Sequence, residues 1–142
     1  MAVPKIIQIP EGDEGALQYH YKRTEVSSAE ILTLNSVPLE LVEAPGTGSI
    51  LMPITAIVKY YYGTIVYATN LNLIILLDNG TIVLNFNNLI SLGADTVMFS
   101  GTGTLAPAQL ENEGIELSVQ TGDPTAGDGT LVVHLWYINI VL

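Results

Sequence analysis

The chain has 142 residues, 49% of them hydrophobic and only 13% charged, with four cations against fourteen acids and a net charge of −10. Such a length suits one domain, and a chain of this size buries about 70% of the surface it exposes when unfolded. The acidic balance repels a phosphate backbone and an anionic lipid surface, which argues against nucleic acid and membrane as partners; the absence of cysteine removes disulfides, thiolate nucleophiles and thiolate metal sites.

Residues 1–23 read as an extended N-terminal arm and residues 24–142 as one β-sandwich domain. The arm holds Lys5, Lys22 and Arg23, the acids Glu11, Asp13 and Glu14, and the triplet Tyr19-His20-Tyr21. One short strand is expected over 5–9. Such an arm either docks on a neighbouring subunit or pairs as a terminal strand with its own sheet, and the sequence leaves both open. Residues 1–10 lack a cationic region ahead of a continuous apolar one, which predicts no signal peptide.

From residue 24 the chain reads as strands separated by turn signals, with no helix of ten residues. Strands are expected over 30–34 and 37–43, followed by a turn at Ala44-Pro45-Gly46-Thr47-Gly48. The clearest period-2 segment comes next. Ile50, Met52, Ile54, Ala56, Val58, Tyr60 and Tyr62 share one side, expected to line the core, and the other side is mixed. Pro53 has no N–H, which predicts a sheet edge or a bulge there. Another strand is expected over 64–69. Residues 72–77, Asp78-Asn79-Gly80 and 81–86 form the strongest hairpin signal, because Asn-Gly tolerates the positive φ of a tight turn. Residues 89–92 and 96–100 read as shorter strands or turns. Within 110–120, Ile115, Leu117 and Val119 alternate against Glu116, Ser118 and Gln120. A loop over 121–129 precedes a long final strand over 130–142. That strand is apolar on both sides apart from His134 and Asn139, which places it mid-sheet or in a subunit interface. The pattern predicts an all-β protein: an antiparallel β-sandwich of jelly-roll type, or a partly open barrel.

A mean hydropathy of +0.43 remains to be explained. A spanning helix would need about 20 mostly apolar residues, yet the run 73–77 is cut by Asp78, Asn79 and Gly80, and the stretch after residue 50 by Pro53, Thr55 and Lys59. A soluble monomer has about a quarter of its residues charged. The deficit predicts that sister copies cover part of the apolar surface, as in an assembly protein.

No residue set points to catalysis. Three Gly-x-Gly-Ser/Thr pieces lack the lysine of a phosphate loop and read as turns. Asp123 and Asp128 share a loop but offer too few oxygens for calcium. His20 and His134 have no metal-ligand spacing. Ser27, Ser28 and Ser100 lack a nearby histidine, there is no Gly-x-Ser-x-Gly elbow, and Glu111 and Glu113 read as a solvated acidic loop. The expectation is a non-enzyme with no catalytic residue, metal or cofactor. Tyr60-Tyr61-Tyr62 and Tyr67 suit an interface, a sugar-binding surface or a core edge. Together with Lys5, Lys22, Arg23, His134 and Trp136, the triplet Tyr60, Tyr61 and Tyr62 makes up the candidate interface set. In a symmetric trimer His134 would approach its own copies, making the contact pH-sensitive.

These segments resemble a family of small phage virion structural proteins. The resemblance rests on Ile31-Leu32-Thr33-Leu34, on Val37-Pro38-Leu39-Glu40-Leu41-Val42-Glu43-Ala44-Pro45-Gly46-Thr47-Gly48, on Tyr62-Gly63-Thr64 with Tyr67, and on Gly127-Asp128-Gly129-Thr130-Leu131-Val132-Val133-His134-Leu135-Trp136-Tyr137. It implies a capsid decoration (cement) protein or a head or tail fibre β-domain: usually a trimer, without catalytic residues. It further implies a homotrimer on the surface of a phage head, bound to the major capsid protein and made in the host cytoplasm. The alternative is a receptor- or glycan-binding fibre domain. A third reading is a small-ligand barrel of lipocalin type.

Overall fold

β-branched and aromatic residues in short alternating runs favour extended backbone that packs on one side, and the structure is almost entirely strand. The computed structural model describes residues 18–101 and 110–142, and the statements below concern those residues. The strands are β1 (Gln18–Val26), β2 (Leu39–Val42), β3 (Ser49–Tyr61), β4 (Leu73–Leu77), β5 (Ile82–Phe86), β6 (Thr96–Gly101), β7 (Ile115–Val119) and β8 (Thr130–Val141). A helical turn, α1 (Ser28–Ile31), and a 3₁₀ turn, Leu89–Ser91, interrupt them.

The strands form two four-stranded sheets, a front sheet ordered β1-β8-β3-β6 and a back sheet ordered β2-β7-β4-β5. All ladders are antiparallel. Early strands pair with late ones: β1 with β8, β2 with β7, β3 with β6 and β4 with β5. The chain is thus a long hairpin folded over on itself, with β4–β5 at its tip. The sheets face each other as an open sandwich, β1 lying over β2 and β6 over β5. Inward side chains of both sheets, including Val58, Tyr60, Val133 and Leu135 from the front and Leu73, Ile75, Leu117 and Val119 from the back, make one core.

The tip hairpin forms where expected. Its loop has three residues: the Gly80 N–H donates to Leu77 O at 2.8 Å, and the Leu77 N–H to Thr81 O at 2.9 Å. Gly80 supplies the positive φ, +86°, that such a loop needs at its last position. The final strand, β8, is central in its sheet, between β1 and β3, which explains its two apolar sides.

Pro53 marks a bulge. Pro53 lies opposite Tyr137 and Thr55 opposite Trp136, so Ile54 is the extra residue. One inserted residue reverses the alternation. Before the bulge Leu51 and Pro53 are buried; after it Ala56, Val58 and Tyr60 are. The expectation that Ile50, Met52 and Ile54 line the core together with Ala56, Val58 and Tyr60 is therefore corrected for the first half of β3.

Other segments also differ. Residues 30–34 are not a strand. Ser27 and Glu30 form a capping box: the Glu30 N–H donates to Ser27 Oγ at 3.3 Å, and the Ser27 N–H and hydroxyl donate to the Glu30 carboxylate, each at 2.8 Å. These two hydrogen bonds from Ser27 hold the Glu30 carboxyl below its ordinary range. The turn carries the chain from the front sheet to the back. Residues 64–69 form no ladder beyond an isolated bridge between Ala68 and Thr125. Residues 18–23, assigned from sequence to the arm, belong to β1 and pair with β8, so this part is a terminal strand of its own sheet. The strand expected over 5–9 lies outside the described residues.

Candidate docking faces

The register of the front sheet fixes which side chains share its outer side. Directly opposed residues lie on the same side of a sheet. One row across the four strands reads Arg23, His134, Ile57, Phe99. The next, towards β1's C-terminal end, reads Glu25, Val132, Lys59, Val97. On the other flank Tyr21 opposes Trp136, which opposes Thr55. This side is apolar and aromatic at its centre and towards β6, where Phe99 is 82% exposed.

Its aromatic residues brace one another. The Tyr21 hydroxyl lies 2.7 Å from His134 Nδ1. The Tyr21 ring stacks on His134 at 5.9 Å and meets Trp136 at 5.2 Å, and His134 stacks on Trp136 at 6.4 Å. Lys59 Nζ sits 4.5 Å from the centre of the Tyr61 ring, a cation–π contact. Arg23 pairs with Glu25 at 2.8 Å, an exposed contact of small energetic weight. A shallow groove of about 500 Å³ opens beside this side, lined by Arg23, Glu25, Ser27, Glu30 and Tyr61 among others.

The candidate interface residues divide as follows. Arg23, Tyr61, His134 and Trp136 come together on the outer side of the front sheet. Lys22 is exposed on edge strand β1, at a position alternating with Arg23. Tyr60 faces the core and is fully buried, and burial, with Asp128 nearby, pushes its phenol upward. Tyr62 is half-buried at the end of β3; its hydroxyl donates to Thr64 O at 2.7 Å and its N–H to Asp95 Oδ1 at 2.9 Å. Lys5 lies outside the described residues. His20, whose ring stacks on Tyr137 at 5.1 Å, alternates with Tyr21 and so takes the opposite side from His134.

The loop acids act as staples. Asp128 accepts the N–H groups of Thr64 and Ile65, both at 2.8 Å, and the Thr64 hydroxyl at 2.6 Å. Asp123 accepts the N–H groups of Asn35 and Ser36 at 2.8 and 2.9 Å. These hydrogen bonds, from Thr64 and Ser36 above all, lower both carboxyls.

The outer side of the back sheet is different. Glu40 opposes Glu116, Glu116 opposes Leu76, and Leu76 opposes Ile82. Its strands carry no lysine or arginine. Burial, then the nearby Asp78 and Glu40, raises the Glu116 carboxyl.

No family model and no curated protein matches this sequence. Among solved structures, the chain is similar to one in the cyanophage Pam1 capsid asymmetric unit: TM-score 0.53, 14% identity, with 95% of this chain and 93% of that one covered. A chain in the capsid of Ralstonia phage GP4 is similar at TM-score 0.45 and 14% identity, covering 94% of this chain and 91% of that one. The likeness is one of fold.

Sequence reasoning missed Phe99, Val97, Ile57 and Tyr21 on the front side, and Glu40 and Glu116 on the back. For Phe99 the segment Val97-Met98-Phe99 carries no alternation, so nothing local marks the exposed member. For Glu40 and Glu116 the alternation is visible within each strand, but their pairing joins residues 76 positions apart.

Proposed function

We propose that this chain is a bacteriophage virion structural protein: a jelly-roll capsid decoration (cement) protein that works as a homotrimer on the head surface, held to the major capsid protein. The observation that carries this reading is the uncovered apolar outer side of the front sheet, with Phe99, Ile57, Tyr21 and Trp136 exposed or half-exposed in a chain poor in charge. A side of that kind is a binding surface. The nested pairing of β1 with β8 through β4 with β5 is the winding of a jelly roll, which supports the architecture. The near full-length likeness to a chain of the Pam1 capsid asymmetric unit supports the setting. No catalytic or cofactor role is assigned.

Such a protein acts as a clamp. Covering apolar area contributes about 25 cal/mol per Å², less the cost of association, and many copies on adjacent capsomers convert a weak single contact into a firm one. The test mixes the purified chain with heads assembled from the major capsid protein alone. The expected result is saturable co-sedimentation, density on the outer head surface in threes, and heads that survive higher temperature. Absence of head binding together with binding to host-cell glycans overturns this reading in favour of the fibre domain.

A further inference from the structure

One row on each outer side of the sandwich carries the same ordering with opposite charge; on the front, Arg23 also pairs with Glu25 of the next row at 2.8 Å. Across the front sheet the row Arg23, His134, Ile57, Phe99 runs from a cation on β1 to an aromatic ring on β6. Across the back sheet the row Glu40, Glu116, Leu76, Ile82 runs from acids on β2 and β7 to aliphatic side chains on β4 and β5. In the sandwich β1 lies over β2 and β6 over β5, so both rows run in the same direction. The cations among the described residues, Lys22, Arg23 and Lys59, all belong to the front sheet. The charged residues of the back-sheet strands are Glu40 and Glu116, both acids.

We propose that copies of this chain associate heterologously, the front side of one copy seated on the back side of the next. The contact sets Arg23 against Glu40 and Glu116, and Ile57 and Phe99 against Leu76 and Ile82.

A two-fold contact of front on front matches less well. An axis along the strands places Arg23 over Phe99, an axis across them through the central row places Arg23 near its own copy, and an axis between that row and the next returns Arg23 to Glu25 but sets Ile57 against Lys59. The front-on-back arrangement matches charge with charge and apolar with apolar along these rows. It also gives Arg23 of one copy acids of the next to meet, in a molecule whose net charge is −10. Glu116, whose carboxyl is raised by burial and by Asp78 and Glu40, gains the positive neighbour that its own sheet lacks. The two outer sides of a sandwich point in nearly opposite directions, so this heterologous contact repeats as an open stack and does not close into a trimer. It is separate from the homotrimer of the proposed function and does not depend on capsid binding.

The experiment is a charge-reversal cycle on the full chain, read by sedimentation over a range of concentrations. Arg23→Glu and Glu40→Lys are each expected to weaken self-association by about tenfold or more. The double variant, carrying both reversals on one chain, recovers part of that loss, because positions 23 and 40 again carry opposite charges while Glu116 is left facing a like charge. Ile82→Ser, on the back side and remote from Arg23, also weakens association and serves if Arg23→Glu fails to fold. A native chain that stays monomeric at all concentrations overturns the proposal. So does a double variant as weak as the two losses combined, or association indifferent to Glu40→Lys and Ile82→Ser. Self-association without head binding refutes the decoration reading and leaves this contact standing.

Discussion

Tyr67 and Gly127 meet as ring on backbone: a Cβ at Gly127 would collide with Cγ and Cδ1 of the Tyr67 ring, and Gly127 holds φ at +96°. The Tyr67 hydroxyl then reaches Gly129 O at 2.7 Å. This buried contact, beside the Asp128 staple to Thr64 and Ile65, ties the crossover before β4 to the loop that enters β8. Gly127→Ala combines backbone strain with overpacking and is expected to cost about 2–4 kcal/mol. Tyr67→Phe leaves a buried carbonyl unpaired and is expected to cost about 1–2 kcal/mol. Denaturant titration of both variants checks the values; a Gly127→Ala chain as stable as the parent contradicts the packing.

The bulge at Ile54 makes neighbouring residues behave oppositely. Leu51 is 4% exposed and faces the core, whereas Met52 sits on the outer side, opposite Ile138. Leu51→Ala is expected to cost about 2–4 kcal/mol. Met52→Ala is expected to cost under about 1 kcal/mol. The same titration separates them, and equal losses would mean that the alternation is not reversed at Pro53.

Stability should respond to acid in two opposite ways. Glu30, Asp123 and Asp128 have folded-state carboxyls lowered by hydrogen bonds from Ser27, Ser36 and Thr64 respectively. Their contribution is present above the ordinary carboxyl range, about pH 4, and is lost as pH falls through their lower folded values. Glu116 has a raised folded-state carboxyl. It takes up a proton more readily when folded, so its contribution is present below the ordinary range and is lost as pH rises through its folded value. As pH falls from neutral, the melting temperature of the monomer should therefore rise slightly while Glu116 takes up its proton above the ordinary carboxyl range, then fall below about pH 4 as the lowered carboxyls are protonated. Glu116→Gln should flatten the first limb and Asp128→Asn should weaken the second. A Glu116→Gln curve identical to the parent from neutral pH down to the ordinary carboxyl range contradicts the assignment.

Phe99 is mostly exposed and so contributes little to the fold of a single copy. Phe99→Ser should leave monomer stability within about 0.5 kcal/mol of the parent. Its effect on association should be far larger, because a large aromatic ring buried in a contact contributes about 2 kcal/mol or more when truncated. Thermal melts at low concentration, set against sedimentation at high concentration, read the two quantities separately. A variant that loses stability and keeps association would place Phe99 in the fold instead of the interface.

Several elements were legible in the sequence because their signals are local. The tip hairpin follows from Asn79-Gly80 between two apolar runs, and the central place of β8 follows from its two apolar sides. Ile115, Leu117 and Val119 face the core as their alternation predicts. The Ser27-Ser28-Ala29-Glu30 capping box was present in the residues, but the apolar residues of 31–34 read as strand. Of the outer front side, Arg23, Tyr61, His134 and Trp136 were singled out from charge and aromatic character, and Tyr60 was grouped with them although it faces the core.

Composition and alternation determined that this chain folds as paired strands with turns at its glycines, since both are properties of neighbouring residues. They did not determine which side of each strand faces inward, because one inserted residue at Ile54 reverses the assignment for the first half of β3. Nor did they reveal the two outer rows, whose members lie on strands far apart in the chain. Strand pairing across the long hairpin brings Arg23 into line with Phe99, and Glu40 into line with Ile82, and that long-range register is written only in the folded sheets.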